Sequence, residues 1–335
     1  MQQSSGLIPI LPASSTTLIQ STVIRPTIAE INAFLQSLLP IRQGDVAFDY
    51  HTPRSRFFNP ATAMPARVVL SITPTPGFYD ALTRAVADSS RPTPWAFLHR
   101  PWMLDRRRVP RGTTIVSSHK AFDEVLTVGN NEALAAKLGM DVARSAVIQG
   151  YKGDPDRTIA IVGPLQTATD RAALKAQLNT EFGSFEGIFG FDDKGEKDEE
   201  LATSENGQSI TCVAIMNAFH PEEVCTVAEM AFEMGLTPDL MNCRSVLYLT
   251  GAVREPGLEA ARKKCMAVVC VGHRTCEEWG IRHLAGVFRE RWPGLQVEEV
   301  LEAEEPRVVK DKEKVQSTCE PVLGNVAGNE IHSNK

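Results

Sequence analysis

Residues 268–280 read VVCVGHRTCEEWG. A short apolar run stops at Gly272, and His273 and Glu277 follow, four residues apart. An apolar run of this length ending at glycine is the pattern of a strand buried on both faces. The segment EEWGIRHLAGVFRERW comes next and is stopped by Pro293-Gly294. Its apolar side chains recur at helical spacing, so it is expected to form a helix. A buried strand feeding a helix is the repeating unit of an α/β fold.

The same unit recurs on both sides of this stretch. Strand-like runs occur at RVVLSIT (67–73), WAFLH (95–99), TTIVSS (113–118), TIAIVG (158–163), TCVAIMN (211–217), SVLYLTG (245–251) and LQVEEVL (295–301). Helical stretches lie between them: GFYDALTRAVAD, PEEVCTVAEMAFEMG, EPGLEAARKKC, and NNEALAAKLG with Asn130 as the expected N-cap and Gly139 as the stop. Ahead of them all, Thr27 and Glu30 form a capping-box pair, and Ile28, Ile31, Phe34, Leu35 and Leu38 share one helical face that ends at Pro40.

These elements predict five segments. Residues 1–26 are a Ser/Thr-rich flexible leader, and 27–163 an N-terminal α/β lobe. Residues 164–209, glycine-rich and then acidic, are a connector or insertion. Residues 210–302 are a C-terminal α/β lobe, and 303–335 a charged, then Gly/Asn-rich, disordered tail.

Composition narrows the function classes. The chain has 335 residues, 43% hydrophobic and 23% charged, with a formal net charge of -6. That size supports two lobes and a sizeable core. The acidic balance argues against nucleic acid as the main partner, and no apolar run has the length of a membrane span. All seven cysteines fall from Cys212 onward, with no CxxC pair. An odd, scattered set reads as reduced packing thiols in a cytoplasmic protein, with nuclear or mitochondrial placement left open.

Three of the seven histidines end apolar strand runs: His99, His119 and His273. In an open α/β sheet the site lies at the carboxyl ends of the strands. Asp123 follows His119 by four residues, as Glu277 follows His273. Imidazoles with one or two carboxylates suit a divalent metal such as Zn, Fe or Mn. His51, His220, His283 and His332 are read as surface or packing residues, and the basic run RRRVPR (106–111) as a solvated loop.

SHKAFDEVLTVGNNEALAAKLGM (118–140) resembles the His-x-x-x-Asp, Gly-Asn-Asn and Leu-Ala-x-x-Leu-Gly segment of the Nif-three-like metal-binding family, whose bacterial members are often labelled GTP cyclohydrolase type-two homologues. The stretch from Val68 to Trp102 resembles that family's strand, helix and strand leading to a His-His turn. The stretch from Tyr248 to Val300 resembles its C-terminal block, through Gly-His-x-x-x-Glu and the last helix. The similarity covers most of 28–163 and 205–306.

The resemblance implies two α/β lobes with mixed sheets facing a central cleft, a toroidal homo-oligomer that is often a hexamer, and a divalent metal centre that is commonly dinuclear. It carries the ligand role to His99, Asp123, His273 and Glu277. His119 matches a histidine near the metals, not usually counted a ligand, and takes the role of general acid or base. The pattern also departs from the family. Arg100 stands where the second His of the pair is expected, the early Trp-Asp-Asn-x-Gly element is missing near 44–51, and Thr-Gly-Glu reads Thr250-Gly251-Ala252. An alternative register aligns Leu98 and His99 with the pair and removes a different ligand.

A guanidinium has no lone pair to donate. One metal per subunit is therefore expected, held by His99, His273 and Glu277 with water completing the shell, and with Arg100 paired to Asp123 or Glu277. Two functions follow from the resemblance. One is a metal-dependent hydrolase acting on a nucleotide-like or other small molecule. The other is a non-catalytic, metal-stabilised scaffold or regulatory partner of a transcription-adaptor protein.

Overall fold

The computed structural model describes residues 25–87, 93–151, 153–191 and 209–303. The leader apart from Arg25 and Pro26, the acidic stretch from Asp192 to Gln208, and the tail from Glu304, with His332, lie outside the described residues.

The first sheet grows from the N-terminal half. Helix α1 (Ile28–Leu38) starts at the Thr27 cap, with both capping-box bonds made and Ile28, Ile31 and Leu35 buried. It is followed by β1 (Asp49–His51), β2 (Arg67–Ser71), α2 (Pro76–Ala87), β3 (Trp95–Leu98) and β4 (Thr114–Ser117). Two short helices come next, α3 (Lys120–Val125) and α4 (Glu132–Lys137). The α4 cap is Asn131, not Asn130: the Asn131 side chain accepts from the Leu134 amide at 2.9 Å. Asn130 lies one residue too early to reach that amide.

The second sheet begins with β5 (Ala146–Tyr151) and β6 (Asp154–Asp170). After them come α5 (Arg171–Phe182), β7 (Gly187–Phe189), β8 (Ser209–Met216), α6 (Pro221–Glu233), β9 (Val246–Thr250), α7 (Glu255–Lys263) and β10 (Ala267–Cys270). Helix α8 (His273–Arg291) and strand β11 (Gln296–Val300) end the fold.

The two sheets are mixed. The five-stranded sheet has the order β1-β4-β3-β2-β11, and the six-stranded sheet β5-β6-β8-β9-β10-β7. β2, β3, β4 and β11 run parallel, with β1 antiparallel at the edge. β8, β9 and β10 run parallel, flanked by antiparallel β6 and β7, and β5 pairs antiparallel to β6 at the edge.

The expected segment boundaries do not follow the sheets. The break at 163/164 falls inside β6, whose residues on both sides of it pair with β8. Residues 164–191 carry the end of β6, then α5 and β7, so this part of the expected connector belongs to the second sheet. Its polar, glycine-rich sequence conceals this because β7 is a short, half-buried edge strand. β11, expected in the C-terminal lobe, crosses back to pair with β2.

α8 is the element that joins the two halves. Ile281, Leu284, Ala285 and Phe288 pack into the core of the first sheet, while Cys276 and Trp279 pack into that of the second. A helix apolar on two faces is buried between layers. Removing the Phe288 ring would cost about 3–5 kcal/mol. Gly280 sets how closely α8 lies on α3, because a Cβ there would meet the Leu126 carbonyl oxygen at 2.6 Å and the Phe122 ring at 2.7 Å. Glu124, buried on α3, pairs with Arg42 at 2.8 Å and with Arg157 of β6 at 3.3 Å, which ties α3 to the second sheet.

Candidate metal centre

His99 directly follows the fully buried β3 and is itself 0% exposed. Its amide donates to the Ser71 carbonyl at 3.2 Å, which extends the β2–β3 pairing by one residue. The Nδ1 atom lies 3.2 Å from the Ser118 carbonyl oxygen. A carbonyl only accepts, so Nδ1 carries a hydrogen and Nε2 faces the site. Around Nε2 lie Glu277 Oε1 at 3.1 Å and Asp123 Oδ1 at 3.3 Å.

His119 and Asp123 come from the junction of β4 with α3. His119 is the N-cap residue, and Asp123 stands one turn later, its Oδ2 3.8 Å from His119 Nε2. The start of α3 is fixed from a distance. The Asp45 carboxylate accepts from the amides of His119 at 3.3 Å and Lys120 at 3.0 Å, and a carboxylate there also offsets the positive helix terminus. Asp45 lies in the stretch 44–51, where the family element is missing. No local sequence signal marks its role, since the amides it holds are more than 70 residues away.

His273 and Glu277 come from the junction of β10 with α8. Gly272 adopts φ +95°, a conformation open to glycine, and turns the chain into α8. Glu277 is 2% exposed, but His273 is 53% exposed, with Nε2 3.4 Å from Glu277 Oε1. Arg100, on the turn after β3, inserts between them. Its Nη2 lies 2.5 Å from Glu277 Oε1 and also touches the His273 ring nitrogen.

The charges follow from this packing. Burial pulls the His99 imidazole down, but the Asp123 and Glu277 carboxylates outweigh it and lift it to about 9. Burial pushes the Asp123 carboxyl up, yet the His99, His119 and His273 rings hold it below its ordinary value. Glu277 is likewise held down against burial, by His99, Arg100 and His273. His119 is pushed down, chiefly by burial and further by the His99 and Arg100 charges. Its ring is therefore neutral at pH 7, with a lone pair to donate.

The sequence-derived ligands thus separate. Nitrogen and oxygen donors of His99, His119 and Asp123 all lie within 4.8 Å of one another and could hold a metal ion. Two observations fit that role. His119 Nδ1 is buried and has no hydrogen-bond partner, and Asp123 Oδ1, also buried, has only its 3.3 Å ion contact with the His99 ring. Glu277 reaches His99, but Arg100 engages it, and His273 is held at the edge by the same guanidinium. A proton on His99 Nε2 stands where a cation would bind, so the two compete.

The surroundings add residues that sequence reading passed over. Trp102, 55% exposed, meets the His119 ring edge-on at 4.9 Å. The His99 ring packs on Phe122 at 4.4 Å. A cavity of ≈ 220 Å³ opens beside Asp123 and His273, lined also by Asn217, His220 and Arg254. His220, read from the sequence as a surface or packing residue, therefore lines the same cavity as Asp123. Cys276 is buried, its thiol pushed far up chiefly by burial, so it is a packing residue.

A sequence model of the Duf34/NIF3 (NGG1p interacting factor 3) family matches residues 107–306, more than half of the chain. No match to a curated protein is found at the level of sequence. Several solved structures share the fold. The protein ybgI, described as of unknown function, has TM-score 0.53 and 16% identity over 84% of this chain and 100% of its own. Reduced HcgD from Methanocaldococcus jannaschii has TM-score 0.50 and 13% identity over 83% of this chain and 98% of its own. A Bacillus cereus protein related to NIF3 has TM-score 0.50 and 11% identity over 84% of this chain and 99% of its own. At such identities the likeness is one of fold. Among the described residues no helix is long and apolar enough to cross a membrane.

Proposed function

The chain belongs to the Duf34/NIF3 family, and from that premise we propose that it is a divalent-metal protein that binds one ion through His99, His119 and Asp123 and acts as a metal-dependent hydrolase on a small molecule. The observation that carries the reading is the convergence of those three donors within 4.8 Å, with His119 Nδ1 left unpartnered.

A bound divalent ion would lower the pKa of its water toward neutrality and polarise a carbonyl or phosphoryl oxygen. The protein's own groups have the following tasks. Ser118 fixes the His99 tautomer so that Nε2 faces the site. Asp123 supplies negative charge, and His119 a neutral nitrogen. Trp102 packs edge-on against the His119 ring and helps to orient it. The ≈ 220 Å³ cavity beside Asp123 suits a small substrate. Arg254 lines it and makes no ion pair with a described residue, so it is placed to meet an anionic group.

One observation favours a second reading. Arg100 engages both Glu277 and His273, leaving fewer groups to assist a reaction. The chain would then be a metal-stabilised scaffold or regulatory partner, within a cytoplasmic homo-oligomer. The two readings are separated by assaying purified protein against phosphate esters and cyclic amides, before and after chelation. Turnover that is lost on chelation and restored by a divalent ion supports the hydrolase. Tightly held metal without turnover supports the scaffold, and absence of metal contradicts both.

A further inference from the structure

A second, larger cavity of ≈ 620 Å³ lies away from the metal cluster. It opens at the ends of β9 and β10 where Arg244, Met266 and Val268 lie, opposite the ends that lead to Thr250 and Gly272. Its floor is apolar, formed by Phe189, Leu258, Met266 and Val268. Its rim is cationic, with Arg171 and Lys175 of α5, Arg244 ahead of β9 and Arg262 of α7, and no acidic side chain among the residues that line it. This volume is within the range of about 300–1,000 Å³ usual for small-molecule sites. A cationic wall without carboxylates does not suit a hard cation such as calcium or magnesium.

The cations differ in what already holds them. The Arg171 guanidinium is buried and donates to the Gly190 carbonyl at 2.6 Å and the Arg244 carbonyl at 3.1 Å, so its charge is fixed in place. Arg262 shares its charge with Glu255 at 3.2 Å. Lys175 and Arg244 are exposed and make no ion pair with a described residue.

The backbone at the wall is also unusual. Cys265 lies just past the end of α7, with its amide bonded to the Arg262 carbonyl and that of Met266 to the Ala261 carbonyl. This is a helix end that glycine normally occupies. Cys265 is the one non-glycine residue with positive φ, +56°, among the described residues. A strained side chain kept at a cavity wall points toward function.

We propose that this cavity is a binding site for a small organic anion with an apolar body, of the class of alkyl or aryl phosphates. The apolar part would rest on the Phe189–Leu258 floor, and the acidic head would meet Lys175 and Arg244, in the field of buried Arg171. Neither the site nor its test involves the metal cluster.

The test uses Cys265 as a reporter on the full-length protein. Its alkylation by iodoacetamide is followed by peptide mass spectrometry, with half-buried Cys225 of α6 as the internal control. Saturating octyl phosphate or phenyl phosphate is expected to slow Cys265 about tenfold and to leave Cys225 unchanged. Inorganic phosphate and octanol are expected to need about tenfold higher concentrations, since each supplies only half of the contacts. The double variant Lys175→Ala/Arg244→Ala keeps the Arg244 carbonyl that holds Arg171, and is expected to weaken protection about tenfold with unchanged thermal stability. The proposal is overturned if the organic phosphates give no protection at Cys265, if octanol or inorganic phosphate protects equally well, or if the double variant is protected like wild type.

Discussion

The β4–α3 and β10–α8 junctions carry the same pattern: a buried strand, a histidine at the turn and a carboxylate one helical turn later. They differ in what faces them. At β4–α3 the His119 ring is neutral, with a buried nitrogen lacking a partner, and Asp123 meets His99. At β10–α8 the carboxylate of Glu277 is in contact with Arg100, and His273 is half-exposed against the same guanidinium. The first junction is left open to an ion, and the second already has its cation. A motif's spacing places the donors, but a residue from a third element decides whether they are free.

The largest break in this comparison is His99→Ala, because His99 is the group both junctions share. It would remove the imidazole shared by the buried Glu277 and half-buried Asp123 carboxylates, and is expected to abolish metal binding. Breaking a buried ion pair costs about 3–5 kcal/mol, which urea unfolding of metal-free protein would register.

A pH series comes next. In metal-free protein the His99 pKa is raised from 6.5 to about 9. Its contribution is fully present below 6.5 and is lost as pH rises through about 9, an effect on the order of 3 kcal/mol. Asp123 and Glu277 are lowered, so their contribution is present above their ordinary values of 3.8 and 4.5 and is lost on acidification. Unfolding midpoints should therefore peak between about pH 5 and 6.5 and fall toward pH 9. A midpoint flat from 6.5 to 9 would mean that His99 is not held by these carboxylates.

The contrast between the junctions is sharpest in a pair of variants. Loss of a partner behind a metal ligand costs 10–100-fold in affinity, so His119→Ala, which removes a proposed ligand, should cost about 100-fold or more. His273→Ala should stay within about threefold, since its half-exposed ring makes only screened contacts. Calorimetric titration with zinc would rank them, and the reverse ranking would exchange the roles of the two junctions.

Gly280→Ala acts on helix packing and not on a ligand. The added methyl would press on the Leu126 carbonyl and Phe122 ring and move α8 from α3, at a cost of about 1–3 kcal/mol. It should loosen Glu277 from His99 while leaving the His119–Asp123 side intact. A stability equal to wild type would show that this close approach is not needed.

Much of this was legible in the sequence. Buried strands announce themselves as apolar runs, so β2, β3, β4, β8, β9 and β10 were read within a few residues, and the three strand-end histidines with them. β1, β5 and β7 were not, because edge strands are half-solvated and lack a continuous apolar signal. The return of β11 to β2 is a long-range pairing that local periodicity does not encode. At the site, the residue types could be read but not their division between the junctions. That division depends on the direction of one arginine, and on Asp45 and Trp102, which approach from distant positions.

The most direct test of the proposed division counts metal ions per chain by elemental analysis, in wild type and in Arg100→His. One ion per chain is expected in wild type. The variant removes the guanidinium, frees Glu277 and His273 and adds an imidazole, so its count should rise toward two. Two tightly held ions in wild type, or a variant that stays at one, would contradict the claim that Arg100 stands in for a cation at the β10–α8 junction.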